Sequence, residues 1–380
     1  MTRIIKVEAG RFDYAVTGEF KFFKPGRDGK VVRPTVLVRL TDASGRQGWG
    51  QAVPVPSWTY ETVETVLGTL RHHLAPLVVG REPADLDGLH AAMEAAIRPS
   101  FSIGQPLCKA ALDLACHDLT GFQQGVPAWK LFGPPAAAAR TIRLSWTVAS
   151  PDPAVTERQL AEGRARGYRN FNIKVGAPQT AAYDIELAKR VRAFAPDGFL
   201  WADANTAYTI DEAIAIAPRL SDAGVDVLES PLPPTQIRGY QTLGRKGALP
   251  ILMDEGIVGP DVAFEFIEMG LMDGMAMKPA RNAGLRPSVR IVNKLKEHGL
   301  LILGSGLTDP DFSLAAAAHL YAWAGISRPC ALNGPQFLAD SLTGKTLIPQ
   351  SDVLAIPTGP GLGLEPDARA AGCLELIASL

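Results

Sequence analysis

Two periods of hydrophobic and polar positions divide the chain. Up to residue 53, apolar and polar side chains alternate through IIKVEAGRFDYAV and TVLVRLTDASGRQGWGQAV. This period of two predicts an antiparallel meander, with Gly45, Gly48 and Gly50 as turn signals. Between the two runs, TGEFKFFKPGRDGKVV is rich in Gly, Lys and Phe and reads as a loop that folds over a ligand. From Tyr60 onward apolar residues recur every three or four positions, over 60–79, 83–97 and 105–122. These segments are expected to be helices, the first with Thr59 as its N-cap. Strands followed by helices make an α+β domain.

From Thr141 short apolar runs alternate with helical periods. Strands are expected near 141–148, 171–175, 199–204, 226–230, 250–255, 274–279, 299–305 and 329–334, and helices near 153–167, 179–195, 210–223, 236–245, 259–270, 285–298 and 310–324. A repeated strand–helix unit closes most simply as a TIM-like (β/α)7β barrel. The chain therefore divides into an α+β domain over 1–133, a barrel over 134–350, and a segment over 351–380, Pro- and Gly-rich at its start, that returns to the first domain and completes it.

Five of the expected strands end on a charged residue: Lys174, Asp203, Glu229, Asp254 and Lys278, spaced by 29, 26, 25 and 24 residues. All would lie on one rim, the end where such barrels keep their chemistry. Within a strand, residues two apart share a face, so Asn172 is paired with Lys174, Asp203 with Asn205 and Ala276 with Lys278. Three carboxylates on successive strands would converge, each pair about 4 Å apart repelling by roughly 4 kcal/mol at an effective dielectric of about 20. A divalent cation removes that cost, and oxygen-only ligands suit Mg²⁺, with Mn²⁺ as a substitute. One such acid alone caps a helix or pairs with a surface arginine as readily as it binds a metal; three at matched positions favour a shared ligand. Either lysine alone reads equally as a snorkelling surface residue, but both sit inside apolar strands. Opposed across a metal-bound carboxylate, two amines can remove a proton from one face and return it to the other.

Composition narrows the classes. Lys and Arg number 38, Asp and Glu 39, and the net charge of −1 gives no field to attract nucleic acid or an anionic membrane. The N-terminus has no apolar core of signal-peptide length and no long uncharged run occurs, so a cytoplasmic location is expected. The four cysteines are too few and too irregular for a disulfide framework or a zinc site.

The motifs PAWKLFG (127–133), DAN (203–205), LESPL (228–232), MDE (253–255), MKPAR (277–281), GSGLTDPDFSLAAAAHL (304–320) and LNGPQFL (332–338) resemble the enolase superfamily, within it the muconate-lactonizing-enzyme-like subgroup. The resemblance implies a Mg²⁺ held by Asp203, Glu229 and Asp254, with Asn205 and Glu255 as neighbours. It also implies acid/base roles for Lys174 and Lys278, and a capping domain whose loops near 17–30 and 52–60 choose the substrate. Abstraction of the proton α to a carboxylate, with a metal-stabilised enediolate, is the superfamily's known chemistry and is carried over by the resemblance, not read from the spacing. Two departures stand out. Asn172 replaces the first lysine of the subgroup's Lys-x-Lys, removing an ammonium that would hold a substrate carboxylate and offering a hydrogen bond to a less charged group. Asp309, with Ser305 before it, stands where relatives often carry Glu; Asp309 before Pro310 also reads as a helix N-cap. No histidine falls at a strand end, which argues against the mandelate-racemase branch.

The leading expectation is an isomerase (racemase, epimerase or cycloisomerase) of a small carboxylic acid. The alternatives are a dehydratase of acid-sugar type and, in another class, a catalytically impaired binding or structural protein. A phosphate-binding barrel lacks the Gly-rich cradle after strands 7 and 8. The resemblance further implies a symmetric homo-oligomer.

Overall fold

The alternating N-terminal segment forms three antiparallel strands, β1 (Ile4–Ala15), β2 (Val32–Asp42) and β3 (Gln47–Ala52). The structure, a computed structural model, describes residues 2–20, 22–26, 28–100, 102–134, 139–344 and 347–380. Lys21 and Arg27 of the expected 17–30 loop, and 135–138 and 345–346 of the expected barrel segment, lie outside the described residues. The C-terminal strand Glu375–Ser379 pairs antiparallel with β1, so the first sheet has four strands drawn from both ends of the chain. Gly48 and Gly50 are strand residues of β3, not the turn signals expected of them. A Cβ on either would run into the backbone of the next helix layer at Ala115 and Ala111.

That layer comprises α1 (Val63–Thr69), continued by a π-helical turn at Leu70–Leu74 and α2 (Ala75–Val78), then α3 (Leu86–Ala96) and α4 (Pro106–Gln124). The first helix starts later than expected. Thr62, not Thr59, is the N-cap, in a reciprocal capping box with Thr65, while the Thr59 hydroxyl donates to the carbonyls of Val55 and Glu61.

The expected first barrel strand splits. β4 (Thr141–Arg143) pairs antiparallel with Val353–Ala355, and only β5 (Trp146–Val148) enters the barrel. There follow α5 (Pro153–Ala165), β6 (Phe171–Lys174), α6 (Ala181–Phe194), β7 (Leu200–Asp203), α7 (Ile210–Asp222), β8 (Val227–Glu229) and α8 (Ile237–Lys246). The series ends with β9 (Ile251–Met253), α9 (Pro260–Glu268), β10 (Gly274–Met277), α10 (Leu285–Glu297), β11 (Leu301–Gly304) and α11 (Asp311–Ala324). Strands β5 to β11 form one parallel sheet in sequence order. The expected eighth strand at 329–334 is reduced to two parallel bridges, Ser305 with Ala331 and Leu144 with Cys330. Pro329 has no N–H to give and Gly334 already opens a short helix, so the run is too short for a ladder. The ring still closes: Ala331 N–H donates to the Gly304 carbonyl at 2.8 Å, and Ser145 N–H to that of Cys330 at 2.9 Å.

The larger core lies between the strands and their helices, while Trp201, Val227, Leu252, Ala276, Leu303 and Ala331 plug the barrel from within. Buried polar contacts tie the first sheet and its helices to the barrel. Arg33, wholly buried, donates to the carbonyls of Val53, Pro54 and Leu307. Asp113 of α4 receives the N–H groups of Leu285 at 2.5 Å and Arg286 at 3.3 Å, at the start of α10, which has no side-chain cap of its own.

His319 on α11 is fully buried, with Nε2 3.2 Å from the Leu362 carbonyl, and burial pushes it down to about 4 from an ordinary 6.5. Between pH 6.5 and 4 the unfolded chain therefore binds a proton the folded chain refuses, and stability falls as the pH falls through that window. The stability difference between the wild type and His319→Gln, from urea titrations, should shrink by about 2 kcal/mol from pH 8 to pH 5. A difference flat with pH would show that the imidazole ionises in place.

Candidate active site

Strand alternation and register build the site. Thr147 pairs with Asn172, Asn172 with Trp201 and Trp201 with Val227, all pointing inward; two residues further along, Lys174, Asp203 and Glu229 stand side by side at the strand ends. The barrel's stagger then enters. Glu229 lies opposite Leu252, so Asp254 sits one pleat further out, and Lys278 one pleat beyond the level of Asp254. Ser305 is level with Lys278, and Asn333 closes the rim two residues past Ala331. One wall of the pocket thus carries acids and amines; the other carries Ser305, Gly306, Ala331, Asn333 and Asn172.

All five charged rim residues are buried, with Asp203, Glu229, Asp254 and Lys278 at most 1% exposed and Lys174 at 8%. Lys174 pairs with Asp203, Lys278 with Asp254, and Arg281, in the turn three residues beyond Lys278, also with Asp254. Glu229 is left with the weakest partner. Its Oε1 has no hydrogen bond among the described residues, and the Lys278 ammonium is 3.8 Å away. Burial first, then the charge of Asp203, holds the Glu229 carboxyl well above the usual carboxylate range. Among the described residues no three His, Cys, Asp or Glu side chains stand ready-made around a metal position, because the amines lie between the acids. The donor set nonetheless fits a hard divalent cation: three buried carboxylates on adjacent strand ends, one of them short of positive charge.

Asn205 and Thr206 take left-handed backbone, with φ of 43° and 66°, which turns the Asn205 amide back onto the site. Its Nδ2 donates to Asp203 Oδ2 at 3.1 Å and to Glu255 Oε1 at 2.9 Å, fixing both acids. Asp309 is not the helix N-cap expected of it. The cap position belongs to Pro310, and the Asp309 oxygens accept from Leu307 N–H at 3.0 Å and the Ser313 hydroxyl at 2.6 Å.

The roof comes from the first domain. Trp58 lies with its ring centre 4.8 Å from the Lys278 nitrogen, stacks on Phe22 at 4.2 Å with the rings nearly parallel, and donates from Nε1 to Glu255 at 3.3 Å. Phe22 in turn packs on Phe20, which stacks on Phe337 beside the barrel mouth. Trp58 belongs to the 52–60 loop expected to choose the substrate, where WTY (58–60) reads equally as a helix start with core aromatics; the sequence assigns no site role to Arg281 or Asn333. Arg281 could have been found from its position three residues after Lys278, and Asn333 from its inward parity with Ala331.

Residues 156–371 match the family model for enolase C-terminal domain-like proteins, and residues 28–133 match that for the mandelate racemase/muconate lactonizing enzyme N-terminal domain. A chloromuconate cycloisomerase of Cupriavidus necator is 30% identical over 87% of this chain and 89% of its own length. An N-succinylamino acid racemase of Thermus thermophilus is 28% identical over 88% of each. Among solved structures, the muconate lactonizing enzyme from Pseudomonas putida superposes with a TM-score of 0.88 at 24% identity, over 98% of this chain and all of that one. No helix among the described residues is long and apolar enough to cross a membrane.

Proposed function

The chain belongs to the mandelate racemase/muconate lactonizing enzyme family of the enolase superfamily, in its muconate-lactonizing-enzyme-like subgroup, and on that premise we propose that it is an isomerase acting at the carbon α to a small molecule's carboxylate. The observation that carries this reading is the burial of two amines, Lys174 and Lys278, against a set of three carboxylates under an aromatic roof. A surface ion-pair network has no reason to be dry, and an inert scaffold has none to leave Glu229 short of charge.

Asp203, Glu229 and Asp254 would hold a Mg²⁺, for which Mn²⁺ could substitute. When bound, the cation supplies positive charge against which negative charge growing on the substrate carboxylate is stabilised. Lys174 and Lys278, each beside one of these acids, exchange a proton with the substrate, one at each face of the α carbon. Asn205 and Glu255 orient the ligands, and Trp58 with Phe22 excludes water. Residues 1–133 with the C-terminal strand act as the cap that selects the substrate.

Exchange of the α proton in D₂O, followed by NMR over a set of N-acylamino acids, hydroxy acids and unsaturated acids with Mg²⁺ present, tests this. Exchange with inversion or ring closure, lost on adding EDTA, is expected. Loss of water from the substrate would make the enzyme a lyase, and exchange insensitive to EDTA would remove the metal from the account.

A further inference from the structure

The turn that carries Trp58 over the site runs from the end of β3 to the start of α1, and buried side chains fasten both of its ends. At the near end Arg33 donates to the Val53 and Pro54 carbonyls at 2.6 and 2.7 Å. Within the turn, the Trp58 and Thr59 N–H groups both donate to the Val55 carbonyl, and Val55 N–H donates to the Thr59 hydroxyl at 3.0 Å. The far end is Tyr60 and Glu61.

Their partner is the N-terminus of α4, a 19-residue helix with no side-chain cap of its own. Pro106 has no N–H, and Gln105, in left-handed backbone at φ 54°, uses its side-chain carbonyl to accept from the Thr69 hydroxyl. The N–H groups of Gln105, Leu107 and Cys108 are left over. The Tyr60 hydroxyl accepts the first at 3.0 Å, and the two oxygens of Glu61 accept the others at 2.7 and 2.9 Å. Glu61 is 1% exposed, and its charge suits the positive end of the helix dipole. The titratable and charged groups that face it among the described residues are Tyr60 on its own turn and Cys108 and Lys109 on α4, while Glu94 of α3 faces Lys109. Lys109 spends its ammonium on the Ile97 carbonyl at 2.8 Å.

Resting on the reading above in which Trp58 roofs the site, we propose that Glu61 is the positioning residue of that roof. Bound to the start of α4, it holds the 53–60 turn shut over Lys278 and Glu255, and its release into water opens the turn. Opening then carries a proton signature. Burial, opposed by the two N–H groups and by Lys109, raises the Glu61 carboxyl to about 7 from an ordinary 4.5. In the open turn the same acid ionises near 4.5, so opening releases a proton between those two values and grows easier as the pH rises through that window, levelling off above it.

Hydrogen–deuterium exchange of the whole chain, read by mass spectrometry without substrate, tests this. Protection of the 53–60 amides, corrected for the intrinsic pH dependence of exchange, should fall about tenfold or more from pH 5.5 to pH 7.5 in the wild type while β2 keeps its own. Glu61→Gln, which keeps one acceptor and cannot ionise, should show constant protection across that range, and Glu61→Ala should lose it at every pH. Lys278 and Glu255 beside Trp58 are common to all three proteins, so a slope that Glu61→Gln removes belongs to Glu61. A flat wild-type profile, a slope kept in Glu61→Gln, or full protection in Glu61→Ala overturns the inference. Protection lost equally from the turn and from β2 overturns it too, since Glu61 would then only stabilise the domain. Should Glu61→Ala not fold, the wild type and Glu61→Gln still decide. No substrate chemistry is read, so absence of α-proton exchange would sink the isomerase and leave this result standing, and a flat profile would do the reverse.

Discussion

Lys278→Ala is expected to lower α-proton exchange by about 10²–10⁴-fold, and Lys174→Ala by a similar factor. The two losses should fall on opposite enantiomers, because the amines stand on β6 and β10 with the three acid-bearing strands between them. NMR of each enantiomer in D₂O reads this directly. Each variant should abolish exchange from one enantiomer and leave slow exchange without inversion from the other. A variant that slows both enantiomers equally would mean that its lysine only neutralises charge. Lys278→Ala also leaves Asp254 with Arg281 alone and takes the closest cation from Glu229, so some loss of stability should accompany it.

The second large effect lies far from the chemistry. Asp113→Ala should destabilise the protein by about 3–5 kcal/mol, the usual result of breaking a buried charged cluster. Asp113 is wholly buried on α4; burial alone would raise its carboxyl, but His117 and His90, at 3.2 and 2.8 Å, hold it well below the usual range. Its oxygens also cap α10, where Gly284, at φ 116°, leaves no room for a side chain of its own. The substitution takes the carboxylate from two imidazoles, of which His117 keeps the Asp113 carbonyl at 2.9 Å, and orphans two N–H groups, on the helix layer and on the barrel at once. Urea unfolding measures it, and Asp113→Asn, which keeps an acceptor, should recover part of the loss. A change under about 1 kcal/mol would show that the cap is dispensable.

What was legible in the sequence was local or periodic. Acids and amines recurring at the ends of apolar runs needed only the two-residue alternation of a strand to place Lys174, Asp203 and Glu229 on one face, and register then set them side by side. The barrel followed from the same repeat. The failures had local causes too. Thr62 captured the cap from Thr59 because Thr65 lies three residues further on, where it can return the hydrogen bond. Gly48 and Gly50 looked like turn residues because nothing nearby in sequence reveals the helix that lies on them. The eighth strand lost its ladder to Pro329 and to the helix opening at Gly334. Trp58 over Lys278 and Asp113 under α10 join residues some 200 positions apart, and no period in a single chain encodes such meetings.

The central claim is that Asp203, Glu229 and Asp254 hold one divalent cation. Titration calorimetry of the wild type and of Glu229→Gln with Mg²⁺ tests it most directly. The wild type should bind one ion per chain. Glu229→Gln should bind at least about tenfold more weakly while its metal-free form is no less stable, since the substitution removes a buried acid short of positive charge. No binding to the wild type, or equal binding to both proteins, would contradict the account.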